Sequence, residues 1–144
     1  MIPIKHLMHI NASIEEVFSA LSDIEKLTEW YTTSVKGKFE KDEIITFEFV
    51  NFAVFKFKVV ALIPNKSVHI ECVESEWGNI GHVMKYDLEE NGEKTRVRYS
   101  YNGFSEMDDA YANMNYSSGK YLESLRQFCQ TGVGEAFGSA NYRS

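Results

Sequence analysis

Cysteine is scarce in this chain: Cys72 and Cys129 are the only two in 144 residues. They stand far apart in unlike contexts, which suggests buried thiols rather than a disulfide framework. Positive charge is also short. Lys and Arg number 15 against 21 Asp and Glu, a net charge of -6, and they are scattered, so nucleic acid and anionic membranes find no basic patch to bind. No stretch approaches the roughly 20 apolar residues of a membrane span. The first ten residues carry Lys5, His6 and His9 among apolar neighbours and lack the uninterrupted apolar centre of a signal peptide, so the expected location is cytoplasmic. His6, His9, His69 and His82 are not paired closely enough for a zinc site, and neither cysteine joins a ligand set. No serine sits in a nucleophile elbow and no glycine run could cradle a phosphate, so neither metal nor cofactor is expected. Repeats and low-complexity tracts are missing as well.

What remains is ample material for one core. With 44% hydrophobic residues, residues 1–144 read as a single domain. The longest element runs from about 107 to 131. Tyr111, Met114, Tyr121, Leu122, Leu125, Phe128 and Cys129 recur there at helical spacing, with Ser118 in the one gap and Gly132 as the stop. Such a helix is about 36 Å long, enough to lie across a whole sheet. Residues 133–144 look like a small polar tail. At the other end, Ile4, His6, Met8 and Ile10 alternate as a first strand. Ser13 with Glu16, and Ser22 with Glu25, form two capping boxes that open two short helices. From Ser34 to Tyr101 the period changes to two, with turn residues marking six more strands joined by hairpins.

The hairpins test whether the strands agree about an inside. Asn91-Gly92 as a two-residue turn places Leu88 opposite Thr95, Tyr86 opposite Val97, Met84 opposite Tyr99 and His82 opposite Tyr101. A turn at Asn65-Lys66 pairs Ile63 with Val68, Ala61 with Ile70, Val59 with Cys72 and Phe57 with Glu74. The connection at Trp77-Gly78-Asn79 then sets Cys72 against Met84 and Glu74 against His82, and Phe47 and Phe49 face Phe57 and Phe55. One face is mostly apolar. The other is charged, interrupted by Leu7, Val60, Leu62, Val73 and Val83, and a patch of these would mark a dimer; a monomer or weak homodimer is expected. The reading is an α+β fold, a curved antiparallel sheet covered on one face by the long helix. The inward list carries more aromatic surface than two facing layers usually hold, together with polar Glu74, His82, Tyr99 and Tyr101 that need partners or water. A cavity between helix and sheet accounts for both.

The run Asn11-Ala12-Ser13-Ile14-Glu15-Glu16-Val17-Phe18-Ser19-Ala20-Leu21, followed by Asp23, Leu27, Trp30 and Tyr31, resembles the opening of the START-like or SRPBCC superfamily. Within it the chain is similar to homologues of the activator of the ninety-kilodalton heat-shock chaperone ATPase. Gly92, Thr95, Arg96 and Val97, then Gly103-Phe104, resemble that family's last hairpin, and Leu122, Leu125, Arg126, Phe128, Gln130, Thr131 and Gly132 its C-terminal helix end. The resemblance implies a helix-grip fold: seven antiparallel strands curled around the long helix, with two small helices plugging one side. It implies a hydrophobic small molecule held in between, or a chaperone as partner, or aromatase-cyclase chemistry. Two positions depart from the pattern. Ile14 stands where proline is common, and Ser118 or a neighbour where the long helix usually has tryptophan, a loss of bulk that enlarges the cavity or shifts its packing.

These readings single out a set of residues. Glu74, His82 and Tyr101 are candidates for a polar cluster able to act as general acid or base, because a buried carboxylate beside an imidazole has a shifted pKa. Against this, a one-residue slip puts Glu74 in solvent, and inward histidines and tyrosines are usually satisfied core groups. Trp30, Tyr31 and Trp77 are candidates for a cavity rim. Met84, Met114 and Ser118 are candidates for its floor, with Phe47, Phe57, Tyr99 and Tyr121 completing the lining. Ordinary packing competes at each position. A binding module for a small hydrophobic ligand is preferred, ahead of a chaperone modulator and of a cyclase or dehydratase. The eukaryotic activators carry an additional chaperone-binding domain, which lowers the second reading.

Overall fold

The computed structural model describes all 144 residues. The elements are β1 (Ile4–Ile10), α1 (Ile14–Ser22), α2 (Ile24–Trp30), β2 (Ser34–Lys36), β3 (Ile44–Phe49), β4 (Ala53–Ile63), β5 (Ser67–Ser75), β6 (Val83–Asn91), β7 (Lys94–Asn102) and α3 (Asp109–Thr131). All seven strands form one antiparallel sheet in the order β1-β7-β6-β5-β4-β3-β2, so the first strand closes on the last and every other neighbour is a hairpin partner. This is the α+β sheet-and-helix architecture that the alternation and the long helix indicated, in the helix-grip form that the resemblance implied.

Local chemistry sets the helix ends. The Ser13 hydroxyl caps α1 as expected, accepting the Glu16 N–H at 3.2 Å, but the Glu16 carboxylate accepts from that same hydroxyl rather than from the Ser13 N–H, so the capping box is only half made. The second box is a correction. Asp23, not Ser22, caps α2, taking the N–H groups of Glu25 and Lys26 at 2.9 and 3.2 Å, while the Ser22 hydroxyl turns back to the Phe18 carbonyl. A carboxylate is favoured over a hydroxyl at the positive end of a helix. Asp108 caps α3 through the Tyr111 N–H at 3.0 Å, and Gly132, with φ of 84°, ends it. The helix thus begins two residues later than its apolar spacing suggested.

The strand registers correct the expected ones in two ways. In the β6–β7 hairpin Asn91 pairs with Lys94, so Gly92 and Glu93 occupy the turn. Only Gly92 has positive φ, 63°, which fits a type II′ turn with glycine first rather than an Asn-Gly type I′ turn. Tyr86 therefore faces Tyr99, and Met84 faces Tyr101. The β3–β4 and β5–β6 pairings move by two as well, with Phe47 opposite Phe55 and Ile70 opposite Met84. A shift of two keeps each side chain on its face.

The β4–β5 hairpin differs in parity. Its loop has three residues, setting Ile63 opposite Ser67, and the ladder then jumps twice, leaving Val60 and Val73 as bulged residues. The first jump turns Leu62 inward onto the core and leaves Ile63 48% exposed, the reverse of the expected pattern. The second turns Glu74 outward.

On the concave side α3 makes its closest approaches to β1, α1 and α2. Leu122 and Leu125, in its C-terminal half, are buried with Ser118 and Ser124, whereas its first turns are largely exposed. The last twelve residues are not the free polar tail expected from their composition. The Phe137 N–H donates to the Tyr31 carbonyl at 2.9 Å and the Thr33 N–H to the Phe137 carbonyl at 3.0 Å. Ser124 bridges the Trp30 carbonyl and the Glu135 N–H, each at 2.7 Å, and Ala136 is fully buried.

Candidate functional site

α3 packs closely on β1, α1 and α2, while most inward side chains of β3 to β7 stand off from its N-terminal half, Tyr99 at Ser118 being the exception. A cavity of about 640 Å³ lies between. Phe49, Phe55, Phe57, Met84, Tyr86, Tyr99 and Tyr101 rise from β3 to β7; Met114, Ser117, Ser118 and Tyr121 descend from α3; Tyr31 after α2 and Phe137 and Tyr142 of the C-terminal segment close one end. At the mouth Phe52 and Trp77 are 61% and 59% exposed, their rings 5.3 Å apart, and exposed Glu106 and Asp108 belong to the lining as well.

Of the candidate residues, Tyr31, Phe57, Trp77, Met84, Tyr99, Met114, Ser118 and Tyr121 line this cavity, and so do His82 and Tyr101. Trp30 and Phe47 do not. Both are fully buried behind Tyr31, whose ring contacts theirs at 5.4 and 5.2 Å, and the Trp30 indole donates to the Ala20 carbonyl at 2.8 Å. Glu74 is outside altogether. The bulge at Val73 sends its carboxylate to Lys56, 3.3 Å away on the outer face, so the expected cluster has no carboxylate.

What is left of that cluster is a neutral chain of hydrogen bonds. His82 Nδ1 lies 2.9 Å from the Tyr101 hydroxyl, and Asn79 Nδ2 donates to the same oxygen at 3.5 Å, leaving Asn79 Oδ1 buried without a partner. Burial lowers the His82 pKa, so with its proton on Nε2 the imidazole accepts from Tyr101. The ring packs against Gly103, where a Cβ would stand 2.2 Å from Cδ2. Deeper in, the Tyr99 and Ser118 hydroxyls are 2.9 Å apart, joining sheet to helix across the cavity. Burial pushes Tyr101 up to about 12, against the opposing Asn79 bond. It drives Tyr31, Tyr86, Tyr99 and Tyr121 further above the ordinary phenol value. Both thiols are held protonated: burial raises Cys72 and takes Cys129 up to about 12. No three His, Cys, Asp or Glu side chains come together as metal ligands, and no helix is long and apolar enough to cross a membrane.

Several lining residues had no place among the candidates. Phe49, Phe55 and Tyr86 carried the same inward alternation as their neighbours and could have been chosen on it. Asn79 read only as a turn residue. Phe137 and Tyr142 gave no periodic signal; what brings them in is backbone pairing of the C-terminal segment with residues 31–33.

A curled antiparallel sheet closed over a long C-terminal helix, with an aromatic cavity between the two, defines a helix-grip protein of the START-like kind. Within that class the chain belongs to the family described as Activator of Hsp90 ATPase homolog 1-like protein, whose sequence profile matches residues 11–130. No curated protein matches the sequence. Among solved structures, the Aha1 dimer from Colwellia psychrerythraea is similar over 93% of this chain and 100% of its own, at 29% identity and TM-score 0.86. CalU16 from Micromonospora echinospora is similar over 88% of this chain and 73% of its own, at 19% identity and TM-score 0.74. DynU16, a protein in the dynemicin biosynthetic locus, is similar over 98% and 51%, at 13% identity and TM-score 0.83. At such identities the last two speak for the fold alone.

Proposed function

We propose that this protein binds a small hydrophobic ligand in the cavity between the sheet and the N-terminal half of α3. The observation that carries the reading is the cavity itself, about 640 Å³ and walled mainly by aromatic side chains with a few hydroxyls and two amides. Sites for small organic molecules have this size and this mixture of apolar wall and sparse polar groups. Catalysis ranks lower, because the His82–Tyr101 pair has no carboxylate beside it to orient or charge the imidazole.

Native mass spectrometry of the purified protein is the direct test. A retained adduct of a few hundred daltons that disappears in Met114→Trp supports the reading. No adduct, together with no thermal shift from any member of a panel of apolar aromatics, overturns it. The family's description and the likeness to the Aha1 dimer favour a second reading, a chaperone ATPase modulator acting by protein contact and capable of self-association. A co-retained chaperone, with ATPase stimulation by this chain and by Met114→Trp alike, would place the activity on the outer surface instead.

A further inference from the structure

We infer that the cavity selects uncharged aromatic ligands bearing a hydroxyl or carbonyl group, and rejects the corresponding carboxylates and phosphates. This rests on the ligand-binding reading and narrows it to a chemical class.

The argument is one of charge. Among the 26 lining residues there is no Lys or Arg. The one titratable base, His82, is held neutral by burial, its Nδ1 engaged with Tyr101. Lys120 is the cation that comes close, and it is taken up by the Tyr142 hydroxyl and by the Tyr142 ring, 4.4 Å from its centroid. The start of α3 could have received an anion through its free N–H groups, but Asp108 fills that position with its own carboxylate. With Glu106 beside it, Asp108 makes the mouth negative. An anionic ligand would therefore pass two carboxylates to reach an interior with nothing to pair it, a transfer that strongly disfavours the charged form.

For a neutral ligand the same interior has matching groups. Tyr31 lines the cavity and its hydroxyl makes no hydrogen bond to the protein, while its ring is fixed by Trp30, Phe47, Phe49 and Tyr121. It is a positioned donor for a ligand oxygen. The Tyr99–Ser118 pair offers a second point that either donates or accepts. Edge-to-face ring contacts along the sheet wall, such as Phe49 with Phe55 at 5.7 Å and Tyr86 with Tyr99 at 5.2 Å, suit a flat aromatic body.

The test compares three probes with one skeleton: 1-pyrenemethanol, 1-pyrenecarboxylate and its methyl ester, titrated at pH 8 by pyrene fluorescence and by tryptophan quenching. The alcohol and ester are expected to bind with similar Kd, and the carboxylate at least about tenfold more weakly. Tyr31→Phe, which keeps the ring, is expected to weaken the alcohol and ester by about five- to tenfold. Met114→Lys, which sets a cation in the cavity wall, is expected to raise carboxylate affinity by at least about tenfold. Equal or tighter binding of the carboxylate to the unaltered protein overturns the selectivity while leaving ligand binding intact. Binding of none of the three overturns both. Unchanged carboxylate affinity in a folded Met114→Lys places the discrimination outside the cavity and also counts against the inference.

Discussion

Trp30 donates its indole N–H to a backbone carbonyl in a site that is 1% exposed, whereas Trp77 stacks on Phe52 at the cavity mouth. Trp30→Ala is expected to cost about 3–5 kcal/mol in urea unfolding, and Trp77→Ala less than about 1 kcal/mol while weakening ligand uptake; equal costs would contradict this division. Glu74→Ala is expected to change stability by no more than about 0.5 kcal/mol and to leave ligand affinity untouched, since its ion pair is exposed. At His82 the folded-state pKa is depressed, so the unfolded chain takes up this proton first. Its contribution is complete above about pH 6.5 and is lost as pH falls below that value. An imidazole NMR titration is expected to place the His82 midpoint below 6.5, and a midpoint above it would contradict the neutral bond to Tyr101. The cavity phenols have the opposite sense. Their folded pKa values are raised, with Tyr101 near about 12, so stability is lost as pH climbs past about 10, where the unfolded chain ionises first. A spectrophotometric titration of the phenols should show these tyrosines ionising together with unfolding rather than before it.

At the scale of elements, what could be read from the sequence depended on parity. Hairpins misplaced by two residues, such as Met84 facing Tyr101 instead of Tyr99, still put the correct side chains inside, so the apolar face and the cavity floor were legible despite wrong partners. The β4–β5 hairpin was not. Bulges at Val60 and Val73 have no signature in a valine-rich alternating run, and each reverses the faces beyond it, which is how Glu74 came to be placed indoors and Leu62 outdoors. Trp30 and Phe47 were correctly inward but one layer too deep, a distinction that depends on how far α3 stands off and so on tertiary packing. The C-terminal segment was illegible because it docks through backbone hydrogen bonds and single anchors rather than through a periodic face. One such anchor is steric. A Cβ on Gly134 would sit 2.6 Å from the Glu29 carbonyl oxygen and 2.8 Å from Trp30 Cα, backbone that cannot swing aside. Gly134→Ala is accordingly expected to cost about 1–3 kcal/mol and to raise protease cleavage after residue 133, with loss of the Phe137 and Tyr142 wall; an unchanged digest would mean that the segment docks independently of this contact.

For the whole molecule, an aromatic cavity of about 640 Å³ means that the sheet and α3 forgo contacts that a filled core would make, and that the free protein keeps apolar surface against water. Stability and binding capacity should then trade against each other through the same volume. Met114 lines the cavity from α3 without a hydrogen bond to lose, so Met114→Trp adds bulk there at little local cost. The variant is expected to be about 0.5–2 kcal/mol more stable than the unaltered chain when both are free of ligand. Ligand reverses the ranking. At a free concentration of about 100 times Kd, binding to the folded state alone is worth about 2.7 kcal/mol, a rise in Tm of roughly 5–10 °C for a chain of this length, and the filled variant should show almost none of it. Paired thermal scans with and without an apolar aromatic check both halves at once. A variant that is less stable yet equally responsive would show that the ligand binds somewhere other than beneath α3.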